Sequence, residues 1–167
     1  MADEREELQQ LCLGVRQCGV SLPGGADVLV HIRRCLEPAL FESDEAIALL
    51  DLDLRNAFPS LEWHSIREAL EEEFPVLLPW ARWCHQDAAS VQLPTGEWTL
   101  CDRGAEQGDL HGPIQCAVVV LRAARRAREA VETAGLGVWD AWYMDDGQVA
   151  LPVAAAGIYA QVRCGSS

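Results

Sequence analysis

The 167 residues suffice for one ordinary domain, and because half of them are hydrophobic the chain can bury a core. The formal net charge of -13, with every one of the 13 basic residues an arginine, argues against a generic nucleic-acid binder, since neutralising phosphate supplies most non-specific affinity. A charged rather than apolar N-terminal decapeptide and the lack of any long apolar run exclude a signal peptide and a membrane span, so the chain is expected to be intracellular, nuclear or cytoplasmic, and not membrane-bound. The seven cysteines are scattered without a CxxC, which fits reduced thiols rather than a disulfide frame or a zinc site.

Taken in order, the chain begins with an acidic stretch over 1–10 and a mixed stretch over 11–20. Ser21-Leu22-Pro23-Gly24-Gly25 then breaks the pattern. Val28, Leu29, Ile32 and Leu36 recur near period 3.6 and predict a helix over 26–36. Residues 46–54 are the best strand, with Leu50, Leu52 and Leu54 on one face and Asp51 and Asp53 on the other. Ser60 is placed to cap a helix that Pro75 and Pro79 end, and a short helix over 80–89 follows. A hairpin over 91–102 turns at Pro94-Thr95-Gly96, and 104–113 form a glycine-containing loop. A long helix over 114–134 carries Arg122, Arg125, Arg126 and Glu129 on a face expected to be solvated. His64, His85 and His111 show no partner arrangement in the sequence.

Beyond that helix, apolar runs over 138–144 and 148–153 flank Asp145-Asp146-Gly147, and Asp-Gly is a strong tight-hairpin signal that puts both carboxylates at the tip of a ribbon. A partial helix over 154–162 follows. The order predicts an α+β fold, a small antiparallel sheet with helices packed on one face. Pairing of the strand over 46–54 with the hairpin would gather Asp51 or Asp53 with Asp145 and Asp146. Clustered anions repel, so such a site suits hard divalent cations, and Mg²⁺ in particular suits carboxylates joined by substrate phosphates. Two ions about 3.5–4 Å apart would clamp the attacking and leaving oxygens of a phosphoryl transfer.

Three motifs give this pattern a family resemblance. Asp53-Leu54-Arg55-Asn56-Ala57-Phe58 resembles Asp-x-x-x-Ala-Phe, Gln107-Gly108-Asp109-Leu110-His111-Gly112-Pro113 resembles Gln-Gly-Asp-Pro-Leu-Gly-Pro, and Tyr143-Met144-Asp145-Asp146 resembles Tyr-x-Asp-Asp. In this order they are similar to the palm of reverse transcriptases, nearest the non-LTR (LINE-type) retroelement and group II intron branch, over roughly residues 14–153. The resemblance implies a polymerase palm-like sheet over 45–167 and a remnant of the fingers–palm connection over 1–44. It implies an RNA-directed DNA polymerase core in which Asp53, rather than Asp51, joins Asp145 and Asp146 as catalytic residues and ligands of two Mg²⁺ or Mn²⁺ ions. Phe58 would lie under the incoming sugar as a gate against a 2′-hydroxyl, and Gln107 and Gly108 would approach the nascent base pair. The implied partners are an RNA/DNA primer-template and deoxynucleoside triphosphates.

The chain also departs from the family. Leu110-His111 stand where Pro-Leu is usual, and Ala105-Glu106 replace a small apolar and basic pair, so that Glu106 adds negative charge beside the expected template path. The triphosphate-binding fingers and the thumb are expected to be missing. Two rivals follow: a catalytically inactive retroelement-derived fragment serving as an interaction module, and another two-metal phosphotransferase or cyclase, against which the Gln-Gly-Asp loop argues.

Overall fold

The computed structural model describes residues 16–20, 22–42, 44–105 and 108–161. They form an α+β fold around a three-stranded antiparallel sheet of β1 (Ile47–Asp53), β4 (Trp139–Tyr143) and β5 (Asp146–Pro152), ordered β1-β5-β4. A separate two-stranded ribbon pairs β2 (Ala89–Gln92) with β3 (Trp98–Cys101). The helices are α1 (Gly25–Phe41), α2 (Ala57–Ser60), α3 (Trp63–Glu73), α4 (Leu78–Cys84), α5 (Gly112–Thr133) and α6 (Ala156–Gln161). No helix among the described residues is long and apolar enough to cross a membrane.

The period-2 pattern of β1 decides which way the sheet faces. Leu50 and Leu52 pair across the ladder with Val149 and Gly147, and Val149 and Gly147 pair in turn with Asp140 and Trp142. These residues share one face. The long helix α5 lies on it, burying Cys116, Val120 and Ala124 against Trp142 and Ala127 and Val131 against Val149 and Leu151. Pro113 in its first turn is tolerated because that turn's N–H groups have no intrahelical acceptor. A second cluster joins α3, α4 and α5 through Ile66, Leu70, Phe74, Ala81 and Val118. On the opposite face α1 contacts β4, and its Arg33 pairs with Asp51 and with Glu37. The Arg33–Glu37 pair spans the point where the apolar period fades, and α1 continues one turn past the predicted end at Leu36, through Pro38.

Three local expectations give way to tertiary contacts. Ser60 caps nothing: Asn56 adopts a left-handed φ of 53°, residues 57–60 form a short helix of their own, and α3 begins after Glu62, which is held extended by a bridge to Arg103. The arginine face of α5 is solvated only in part, at Arg126 and Glu129, and its other arginines are paired with α3. Arg122 holds Glu68 at 2.7 Å and Glu72 at 2.8 Å, Arg125 holds Glu73 at 2.7 Å, and the Arg122 side chain is only 13% exposed. The histidines do have partners: His64 lies 3.0 Å from Glu68, His85 stacks on Trp63 at 4.8 Å, and His111 lies against Trp80 at 5.2 Å.

The sheet carries a buried charge as well. Asp140 is fully buried on the α5 face and accepts from Arg128 Nη2 at 2.5 Å, Arg128 Nε at 3.1 Å, Tyr159 Oη at 2.9 Å and Trp142 Nε1 at 3.3 Å. Burial and the neighbouring Asp140 charge push the Tyr159 hydroxyl far above its ordinary range, so it remains a donor. Removing one member of a buried pair strands the other, so Asp140→Ala is expected to lower stability by about 3–5 kcal/mol. Adding Arg128→Met to that variant should lower it by less than the sum of the single effects. Urea unfolding of the four proteins measures the coupling, and strict additivity would mean that the two side chains act independently.

Candidate functional site

The ladder between β1 and β5 ends at the pair Asp53–Asp146. Asp146 in turn faces Tyr143 across the β4–β5 hairpin, so the two-residue connection is Met144-Asp145. This corrects the turn assignment. The hairpin does not turn at Asp-Gly: Asp146 is the first residue of β5, and Gly147 lies inside the strand without positive φ. The positive φ falls on Met144, at 54°. Gly147 is required for a different reason, because a Cβ there would come within 2.6 Å of the Trp142 ring. The indole takes the space opposite Gly147, and this packing overrides the local preference for an Asp-Gly turn.

The register thus puts Asp53 and Asp146 side by side at one end of the β1–β5 ladder, with Asp145 next to them in the turn. Asp53 and Asp146 are exposed and Asp145 is half-buried. Loss of hydration, then the Asp145 charge, then the Asp53 charge push the Asp146 carboxyl above its ordinary range. Asp51, on the same strand face, is engaged by Arg33 and stands apart from this group.

Whether the three carboxylates suit a divalent cation divides into chemistry and geometry. Mutually repelling carboxylate oxygens are the donors that hard divalent ions prefer. Among the described residues, however, no group of three or more His, Cys, Asp or Glu side chains is drawn together as a ligand cluster.

Phe58 leaves the end of β1 through α2. Its half-buried ring rests on the cluster of Ala57, Cys116, Val120, Ala124 and Trp142. Its carbonyl accepts the Ala105 amide at 2.8 Å, while Gly104 donates to the Leu61 carbonyl at 2.6 Å and Trp63 Nε1 donates to the Gly104 carbonyl at 3.1 Å. These bonds fix the base of the loop that leads to Gly108 beside Phe58. Gly108 is exposed with φ 93°. Asp109 Oδ1 then accepts the His111 amide at 3.2 Å as the chain enters α5. Gln107 lies outside the described residues.

Two residues near the site have no counterpart in the sequence reading. Asp140 had one available signal, a lone acid between Trp139 and Ala141 in an otherwise apolar strand. Gln17 had none. It is 1% exposed, and its side-chain amide bonds both backbone groups of Met144.

No family model and no curated protein matches the sequence. Solved structures do resemble the fold. Telomerase from Candida albicans, in complex with a TWJ fragment of telomeric RNA, is similar at a TM-score of 0.62 and 16% identity, over 95% of this chain and 31% of that one. Telomerase from Candida tropicalis, also in complex with a TWJ fragment of telomeric RNA, gives a TM-score of 0.50 and 14% identity over 88% and 28%. The chain spans about a third of the length of the telomerases it matches. At these identities the likeness is one of fold.

The raised Asp146 carboxyl sets a pH dependence whose sign follows from linkage. Below the ordinary carboxylate value both folded and unfolded chains hold this proton. Between that value and the raised one the unfolded chain releases it while the folded chain keeps it, so the folded state loses stability as pH rises. Above the raised value the loss is complete and constant. In cation-free buffer the stability of Asp146→Asn relative to the parent should therefore rise with pH through the acid carboxylate range and then level off. Parallel stability profiles, measured by urea unfolding at a series of pH values, would show that Asp146 is not opposed by its neighbours.

Proposed function

We propose that this chain is the palm core of a nucleotidyltransferase, an RNA-directed DNA polymerase acting on a primer 3′-hydroxyl. The observation that carries this reading is the Asp53–Asp146 cross-strand pair with Asp145 in the adjoining turn. Three motifs in reverse-transcriptase order and the fold likeness to telomerase, a reverse transcriptase-related enzyme, support it.

In this reading Asp53, Asp145 and Asp146 hold two Mg²⁺ or Mn²⁺ ions, which when bound neutralise charge on the attacking and leaving oxygens of an in-line phosphoryl transfer. Asp53 and Asp146 lie on rigid strands and Asp145 lies in the turn, so the backbone sets their spacing. The Phe58 ring, braced from below by Ala57 and Trp142, is the gate against a ribose 2′-hydroxyl: a flat side chain that cannot retreat into a packed cluster excludes an added oxygen by overlap. Gln107 and Gly108 approach the nascent base pair, and Gly108 lets backbone come close to it. The template, primer and deoxynucleoside triphosphate are the substrates of this reading.

Cation binding tests the carboxylates without requiring turnover. Mg²⁺ or Mn²⁺ that binds only the assembled site should raise the melting temperature of the parent protein, and Asp145→Asn should lose most of that rise. An equal rise in both would sink the assignment and favour the retroelement-derived interaction module.

The charge of -13 makes a separate prediction. A primer-template should bind this chain weakly, with an affinity that falls steeply as salt increases, since the arginines of α5 are engaged by glutamates. Nanomolar binding near physiological salt in a fluorescence titration would contradict this.

A further inference from the structure

The Met144-Asp145 turn is held by a residue from the far end of the sequence. Residues 16–18 run beside β4: Trp142 N donates to the Arg16 carbonyl at 2.8 Å, and Cys18 N donates to the Trp142 carbonyl at 2.6 Å. Between them the buried Gln17 side chain reaches the turn. Its Oε1 accepts from Met144 N at 2.8 Å and from Gly19 N at 3.0 Å, and its Nε2 donates to the Met144 carbonyl at 3.1 Å. One side-chain amide thus satisfies both backbone groups of the residue with left-handed φ.

A non-glycine residue with positive φ is strained, and it persists only where its surroundings over-determine it. Gln17 provides that constraint, and Gly19 completes it. A Cβ at Gly19 would come within 2.5 Å of Met144 N, so the strand end and the turn can meet only because position 19 has no side chain. Asp145 and Asp146 are the next two residues of the chain. Their backbone directions follow from the Met144 conformation, and a turn free to relax would swing Asp145 relative to Asp53.

We propose that Gln17 is a positioning residue that clamps the Met144-Asp145 turn, and so holds the backbone that carries Asp145 and Asp146 beside Asp53, from which their carboxylates would close on a divalent cation. The inference rests on the reading of these carboxylates as cation ligands. It assigns to the segment before α1 a task beyond packing.

The test uses the full chain. Mn²⁺ is titrated into the parent, Gln17→Met, Gly19→Ala, Asp145→Asn and Val131→Ala, with free Mn²⁺ followed by electron paramagnetic resonance and folding checked by far-ultraviolet circular dichroism. Hydrogen exchange of the Met144 amide is measured alongside. Gln17→Met keeps the side chain's length but loses its hydrogen bonds, and should weaken Mn²⁺ binding about 10-fold or more, the usual effect of removing a group that orients a ligand. It should also deprotect the Met144 amide. Gly19→Ala pushes on the same turn from the other side and should weaken Mn²⁺ binding likewise, which keeps the question open to test if Gln17→Met fails to fold. Val131→Ala, a cavity in the core beneath the sheet, should lower stability and leave both readouts unchanged. Parent-like Mn²⁺ affinity in folded Gln17→Met, or an equal loss in Val131→Ala, would overturn the positioning role. If Asp145→Asn weakens binding while Gln17→Met does not, this inference alone fails. If the parent binds no Mn²⁺, or Asp145→Asn binds as the parent does, the carboxylate reading fails and takes the inference with it.

Discussion

A carboxylate placed where no water reaches must be given donors by the protein, and Asp140 is such a group. Its two oxygens take hydrogen bonds from α5 through Arg128, from α6 through Tyr159 and from its own strand through Trp142. An unpaired buried charge would cost several kcal/mol, so these elements cannot shift independently without exposing that cost. Fixing Trp142 fixes more than its hydrogen bond. Its ring lies over Gly147, and that contact pins the register of β4 against β5. The same register carries Tyr143 to Asp146 and, one strand further, Asp146 to Asp53. The buried ion pair and the carboxylate pair at the end of the ladder are therefore linked through a single hairpin. A one-residue slip would turn both the indole and the carboxylates to the wrong face.

The second set of charges works differently. Glu68, Glu72 and Glu73 and Arg122, Arg125 and Arg126 bring opposite signs together where α3 meets α5. Burial pushes the Glu73 carboxyl up, with Arg125 opposing that shift. Arg122, mostly covered, takes two glutamates at once, one turn apart on α3. Arginine suits this position, since its planar fork can hold two carboxylates where an ammonium would hold one point charge. The functional consequence is that these cations are used within the fold.

What the sequence made legible is what local rules govern. The Leu/Asp alternation shows in five consecutive residues, 50–54, and needs no distant partner to be read; the breakers before α1 and the start of α5 are written in Pro and Gly. The order of the three motifs pointed to the pair of strands that the structure joins. The errors arose where a distant side chain outweighed a local preference. Asp-Gly is a turn signal, yet the Trp142 ring needs Gly147 inside the strand and moves the turn back to Met144-Asp145. Ser60 is a good cap, but the bridge from Glu62 to Arg103 sets the start of α3 instead. The arginines of α5 look like an exposed stripe until α3 is laid beside it. Gln17 is the extreme case, since its partner lies 127 positions away and no window of sequence contains both.

These observations together account for where the fold accepts strain. Two unfavourable features fall within three consecutive residues: the left-handed backbone of Met144 and the carboxylates of Asp145 and Asp146 crowded against Asp53. Neither helps folding. A glycine at 144 would remove the first and an amide at 146 would reduce the second, and both are ordinary substitutions on chemical grounds. The surroundings instead hold the strained arrangement, through Gln17 on one side and the Trp142–Asp140 packing on the other. Strain that is over-determined by its neighbours belongs to the geometry a fold maintains, and it concentrates where a site must be ready before its ligand arrives. In this chain the left-handed Met144 stands beside the ladder pair Asp53–Asp146, so the turn is held at the point where the backbone of β1 and β5 brings these carboxylates side by side.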